Sequence, residues 1–159
     1  KGEFFLYIEW NCLRKERCER LKSFKTYISE RVSLDGFIDF ASDYLEISGT
    51  PSVRMVDERE GKMTTACYSP NNGDITIVRK DRNFMDVCRS IAHEMTHQRQ
   101  HEVVGDANEL DGTTGSPCED EANLMAGRII RKYGEKNPEF YTLDLDQSKK
   151  LLENYIKDY

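Results

Sequence analysis

Apolar positions along the chain follow two kinds of pattern, helical steps of three and four and short runs of β-formers. Cys18, Leu21, Phe24, Ile28 and Val32 recur at steps of three and four, with Trp10 and Leu13 extending the stripe backwards; this spacing predicts an amphipathic helix. Phe37, Ile38, Ala41, Tyr44 and Leu45 predict a second helix, which Ser48-Gly49-Thr50-Pro51 ends. Three short segments rich in β-formers follow: Ser52–Asp57, Met63–Tyr68 and Ile75–Val78. The turn residues between the last two favour hairpin order. Phe84, Cys88, Ile91 and Met95 then mark a buried helical stripe, with Asp81 as its expected cap and an end between Gln100 and Val104. Ser116 is a natural N-cap with Pro117 at the first helical position, and Ala122, Met125, Ala126, Ile129, Ile130 and Tyr133 continue that helix to an expected stop at Gly134. The stretch from Pro138 to Leu145 reads as irregular, and Leu151, Leu152, Tyr155 and Ile156 predict a last helix.

The pattern gives an α+β fold: a small antiparallel or mixed sheet, a helix, and a second long helix. The division expected is an N-terminal helical arm over 1–48 and a folded domain over 49–159. With 159 residues, seven Phe, eight Tyr and one Trp, the chain has enough bulk for one core. No apolar run approaches the ~20 residues that span a bilayer. The formal charge of −6 argues against nonspecific nucleic-acid binding. Charge is uneven: basic residues dominate from Arg14 to Arg31, whereas Glu102 to Glu121 contains no Lys or Arg. Five cysteines, an odd number without a Cys-x-x-Cys pair, do not suit a disulfide framework. They fit a reducing, intracellular, cytoplasmic setting. Nothing in the pattern speaks to oligomeric state.

All three histidines lie within nine residues, at His93, His97 and His101. His93-Glu94-Met95-Thr96-His97 matches H-E-x-x-H on a predicted helix. Residues four apart share a helix face, so both imidazoles can bind one ion. Glu94, beside the first, can act as general base toward water activated by that ion. A catalytic zinc needs a third protein ligand. His101 is a poor choice, because a straight helix sets it ~12 Å along the axis from His93. The run Glu119-Asp120-Glu121 is the better source. Asn123, one turn after Glu119, can accept from a histidine N–H, and Ala122 and Ala126 allow close helix approach; both favour Glu119, with Glu121 as the alternative. Glu119 also stands at the third position of a capping box, Ser116-Pro117-Cys118-Glu119, a competing structural use. Tyr68 and Tyr133 are lesser candidates for stabilising an oxyanion.

Ile91 to Gln100 resembles the active-site helix of small gluzincin peptidases. Glu119-Asp120-Glu121-Ala122-Asn123-Leu124-Met125-Ala126 is similar to the E-x-x-A-N-x-x-A signature of the ImmA/IrrE-type metallopeptidases, phage and prokaryotic zinc enzymes. The resemblance covers roughly Met63 to Tyr133. It implies a zincin-like fold, Zn2+ as cofactor, His93, His97 and Glu119 as ligands, and Glu94 as catalytic base. The implied activity is hydrolysis of a peptide or protein substrate. It also implies that Ile75–Val78 or its hairpin partner edges the cleft and pairs with extended substrate. The alternatives are a non-catalytic, zinc-stabilised interaction module and a regulatory peptidase with one dedicated protein substrate.

Overall fold

A computed structural model describes residues 32–58, 65–105 and 111–157. The helix expected before Val32, with its basic run, lies outside them. The chain divides into residues 1–32 and a compact unit from Ser33 onward. In that unit, helix α1 (Leu34–Leu45) is followed by strands β1 (Val53–Val56), β2 (Ala66–Ser69) and β3 (Asp74–Val78). Then come helices α2 (Phe84–Val104) and α3 (Pro117–Lys136), a 3-10 turn (Pro138–Thr142) and helix α4 (Leu145–Lys157). The architecture is α+β with a three-stranded mixed sheet. Among the described residues, no helix is long and apolar enough to cross a membrane.

Helix α1 belongs to the compact unit, not to the arm in which the boundary at residue 48 would place it. Phe37, Ile38, Ala41 and Leu45 are buried along its inner face, and the helix packs on α2, α3 and α4. The Phe37 ring meets Tyr133 edge-on at 5.1 Å and stacks on Phe140 at 6.2 Å, while Phe140 also meets Phe84 and Tyr133. These rings form the aromatic heart of the core.

The sheet departs from simple hairpin order. β2 and β3 are antiparallel neighbours, but β1 pairs with β3 in parallel, so the order is β1-β3-β2. β3 takes the centre because it carries the buried apolar residues Ile75, Ile77 and Val78, whereas no residue of β2 is fully buried. β2 is left at an edge. Val78 N–H donates to the Thr65 carbonyl at 2.9 Å. With the register Cys67↔Thr76 and Tyr68↔Ile75, the alternation turns the backbone polar groups of Ala66 and Tyr68 away from β3.

Helix α2 starts one turn from the end of β3, and Arg82 holds that junction. Its guanidinium donates to the Val78 carbonyl at 2.9 Å, to Ser90 Oγ at 2.7 Å and to Asp86 Oδ2 at 2.6 Å. The N-cap is Asn83, whose side chain accepts from Asp86 N–H at 2.8 Å; Asp81, the expected cap, sits two residues earlier at φ 58° in the connecting turn. Phe84, Cys88, Ile91 and Met95 are fully buried. Gly105, at φ +82°, ends the helix in a left-handed C-cap and donates to the His101 carbonyl. Helix α3 runs through Gly134 instead of stopping there. A Cβ at that position would collide with the Tyr141 ring, so this glycine serves a close approach, not a terminus.

Candidate metal centre and its cleft

Helix α2 turns its apolar stripe to the core, which leaves His93 and His97 on a face that lines a cleft of about 450 Å³. Ala66, Cys67 and Tyr68 of β2 form one wall, and Cys118 and Glu119 at the start of α3 form another. The two imidazole Nε2 atoms are 3.1 Å apart. Glu119 Oε2 is 3.3 Å from His93 Nε2, and Glu119 Oε1 is 3.2 Å from His97 Nε2. The three side chains are 20%, 18% and 22% exposed, enclosed but reachable from solvent.

The hydrogen bonds around these atoms decide what the centre can hold. Asn123 Nδ2 donates to the Glu119 carbonyl at 2.9 Å, and its side chain stands near enough to His93 to favour that ring's charged form. With the amide nitrogen given to a carbonyl, the amide oxygen is the end left for His93. On the other side His97 Nδ1 lies 2.8 Å from Gln100 Oε1. An amide oxygen at His97 Nδ1 favours the proton there and turns an Nε2 lone pair inward, and His93 Nε2 faces the same point. Two imidazole Nε2 atoms and a carboxylate facing one another at 3.1–3.3 Å suit a cation between them. Burial, and then the charge of His97, hold His93 below its ordinary pKa. A tetrahedrally bound ion with bonds of ~2.0–2.1 Å sets neighbouring ligand atoms ~3.3–3.4 Å apart, close to the spacing seen. The His-His-Glu group could therefore hold a metal ion, and it is the group of this kind among the described residues.

Glu119 is not serving as a capping-box residue. Ser116 Oγ caps the helix by accepting from Glu119 N–H, but Ser116 N–H is already given to the Thr113 carbonyl at 2.9 Å, and the Glu119 carboxylate lies at the histidines. Glu121, the alternative ligand, points elsewhere: its Oε2 accepts from Gln100 Nε2 at 3.0 Å. Glu94 lines the cleft, and its Oε2 accepts from Tyr68 N–H at 2.8 Å. Burial pushes its carboxyl above the ordinary value, against the lowering effects of His97 and of that hydrogen bond. Tyr68 also lines the cleft, with its hydroxyl 3.1 Å from His101 Nδ1. His101 thus stands two turns beyond His93 and touches Tyr68, not the ligand atoms.

Tyr133 has no part in this cleft. It is 4% exposed, packed among Phe37, Phe40 and Phe140, and burial drives its phenol up to about 12. The edge strand facing the cleft is β2 and not β3, which is central. Gln100 escaped the sequence reading altogether: an amide one turn after a histidine carries no pattern of its own. Cys67, Cys88 and Cys118 are free thiols, and burial raises the pKa of Cys67 and Cys88. No family model, curated protein or solved structure matches the chain.

Proposed function

We propose that this chain is a zinc-dependent peptidase with a zincin-like fold, in which His93, His97 and Glu119 hold the ion and Glu94 is the general base. The observation that carries the reading is the convergence of two imidazole nitrogens and one carboxylate in an open cleft beside a half-buried glutamate. Two imidazoles and a carboxylate, with a position left open, form a donor set suited to catalytic zinc. A site built only to stabilise the fold has no use for Glu94.

Zinc, when bound, supplies Lewis acidity toward water and toward an amide carbonyl. The remaining work falls to the chain. The outward N–H and carbonyl of Ala66 and the outward carbonyl of Tyr68 offer an extended peptide an edge to join as a further strand. Tyr68 N–H fixes one oxygen of Glu94 and leaves the other to take a proton from the attacking water. As the water oxygen bonds to the carbonyl carbon and the C–N bond breaks, Glu94 returns that proton to the leaving nitrogen. A carboxyl raised by burial is suited to both halves of that transfer.

The test is a peptide-library digest on the full chain with metal analysis before and after chelation. The expected result is near-stoichiometric zinc, cleavage, loss of cleavage on chelation and return with added zinc. Cleavage that persists after complete metal removal, or a chain that takes up no zinc, overturns the proposal.

A further inference from the structure

Resting on the reading of His97 as a ligand, we infer that Gln100 is a positioning residue that locks the His97 tautomer, and that Glu121 sets the orientation of Gln100. Gln100 is one turn beyond His97 on α2 and 8% exposed. Its amide is held on both sides: Nε2 donates to the Cys118 carbonyl at 2.9 Å and to Glu121 Oε2 at 3.0 Å, and Oε1 lies 2.8 Å from His97 Nδ1. A carbonyl and a carboxylate only accept, so the NH2 end must face them. The amide oxygen is then the end that faces His97, and an oxygen there requires the proton on Nδ1. The lone pair of Nε2 follows.

The lock has a definite competitor. With its proton on Nε2, His97 would donate directly to Glu119 Oε1, only 3.2 Å away, and the centre would close upon itself with no place for an ion. Gln100 removes that state. The chain of command runs from the first turn of α3, through one amide, to a ring nitrogen on α2. The same turn also supplies Glu119 itself and the carbonyl that orients Asn123.

Long-range 1H–15N correlation spectra of the metal-free full chain, above the pH at which imidazole titrates, read the tautomer directly. We expect His97 to carry its proton on Nδ1. In Gln100→Leu the population should move toward the Nε2–H form, and zinc affinity by chelator competition should fall ~10–100-fold, the range for loss of a partner to a metal-bound histidine. The exchange Gln100→Glu with Glu121→Gln keeps an acceptor toward His97 and a donor at position 121 behind it, but turns a carboxylate oxygen toward the Cys118 carbonyl, so it should restore the Nδ1–H tautomer and only part of the zinc affinity. A purely structural role predicts that zinc affinity follows melting temperature and that the tautomer never moves. An Nε2–H His97 in the parent overturns the inference, as does an unchanged tautomer and affinity in Gln100→Leu. If that variant does not fold, the parent spectrum and the exchanged pair decide. A parent that binds no zinc defeats the metal-site reading instead, and the spectrum still judges Gln100.

Discussion

At its C-terminal end helix α3 buries Ile129 and packs Tyr133 against Phe37, Phe40 and Phe140; at its N-terminal end the same helix presents Glu119 to the histidine pair, the Cys118 carbonyl to Gln100 and the Glu119 carbonyl to Asn123. The two ends lie about 21 Å apart along one rigid rod. The aromatic end is stabilised by area removed from water, which is non-directional and tolerates exchange among rings of similar volume. The polar end depends on which atom carries a proton, where a change of one group alters chemistry without altering volume. One helix thus separates the residues that keep the protein folded from those that give it a site, and substitutions should divide accordingly.

The sharpest test of that division is Glu94→Gln. Loss of the base should cut turnover by ~10²–10⁴-fold. Zinc content should not change, and the metal-free protein should melt no lower than the parent, because the substitution removes a carboxyl whose charge burial disfavours. A parallel fall in melting temperature would show that Glu94 is a structural member of the fold. Next in size, Phe140→Ala removes a ring that is 1% exposed, at an expected ~3–5 kcal/mol measured by denaturant unfolding. In the fraction that remains folded, zinc affinity should match the parent; a large loss there would mean that the two ends of α3 are coupled.

Glu119→Gln reverses that pattern. Ser116 still caps the helix, so melting should barely move. Zinc affinity should fall by more than the ~10–100-fold of an orienting partner, since a neutral amide replaces an anionic ligand. Asn123→Ala should give a loss within that smaller range, read by the same chelator competition. Zinc affinity lost at Glu121→Gln and kept at Glu119→Gln would reverse the assignment of the ligand.

The smallest effect concerns pH. His93 is held below its ordinary ~6.5 by burial and by His97, so its neutral form is favoured in the folded state. Its contribution to stability is present above that value and is lost as the pH falls through the depressed folded one. The metal-free protein should melt progressively lower as the buffer is taken from pH 7.5 toward 5, and zinc should be released over the same window. Glu94 works in the opposite sense: its raised carboxyl costs nothing at low pH and destabilises as the pH rises. A melting temperature that climbs on acidification would show that Glu94 outweighs His93.

What could be read from the sequence divides along the same line. The core stripe Phe84, Cys88, Ile91, Met95 is legible because burial repeats with the helix period. His93, His97, Glu119 and Asn123 could be nominated because ligand chemistry restricts residue type and spacing together. Gln100 and Glu121 could not be paired, since they act through one bond between helices, and nothing local records which glutamate an amide meets. The position of β1 was hidden for a similar reason: a tetrad such as Val53–Val56 does not say whether its partner runs parallel or antiparallel. Gly134 reads locally as a stop signal, and only the Tyr141 ring reveals that it makes room.

The three residues that could hold an ion are unevenly spread along the chain, two of them one helical turn apart and the third beyond a loop. The histidine pair comes already assembled, since α2 alone sets its geometry. An ion captured by that pair and then by Glu119 would close a loop of roughly 20 residues, a cross-link whose entropic worth is on the order of 3 kcal/mol. In that role the ion would be a reversible staple between α2 and α3, and loading or stripping it would tighten or release one wall of the cleft that holds it.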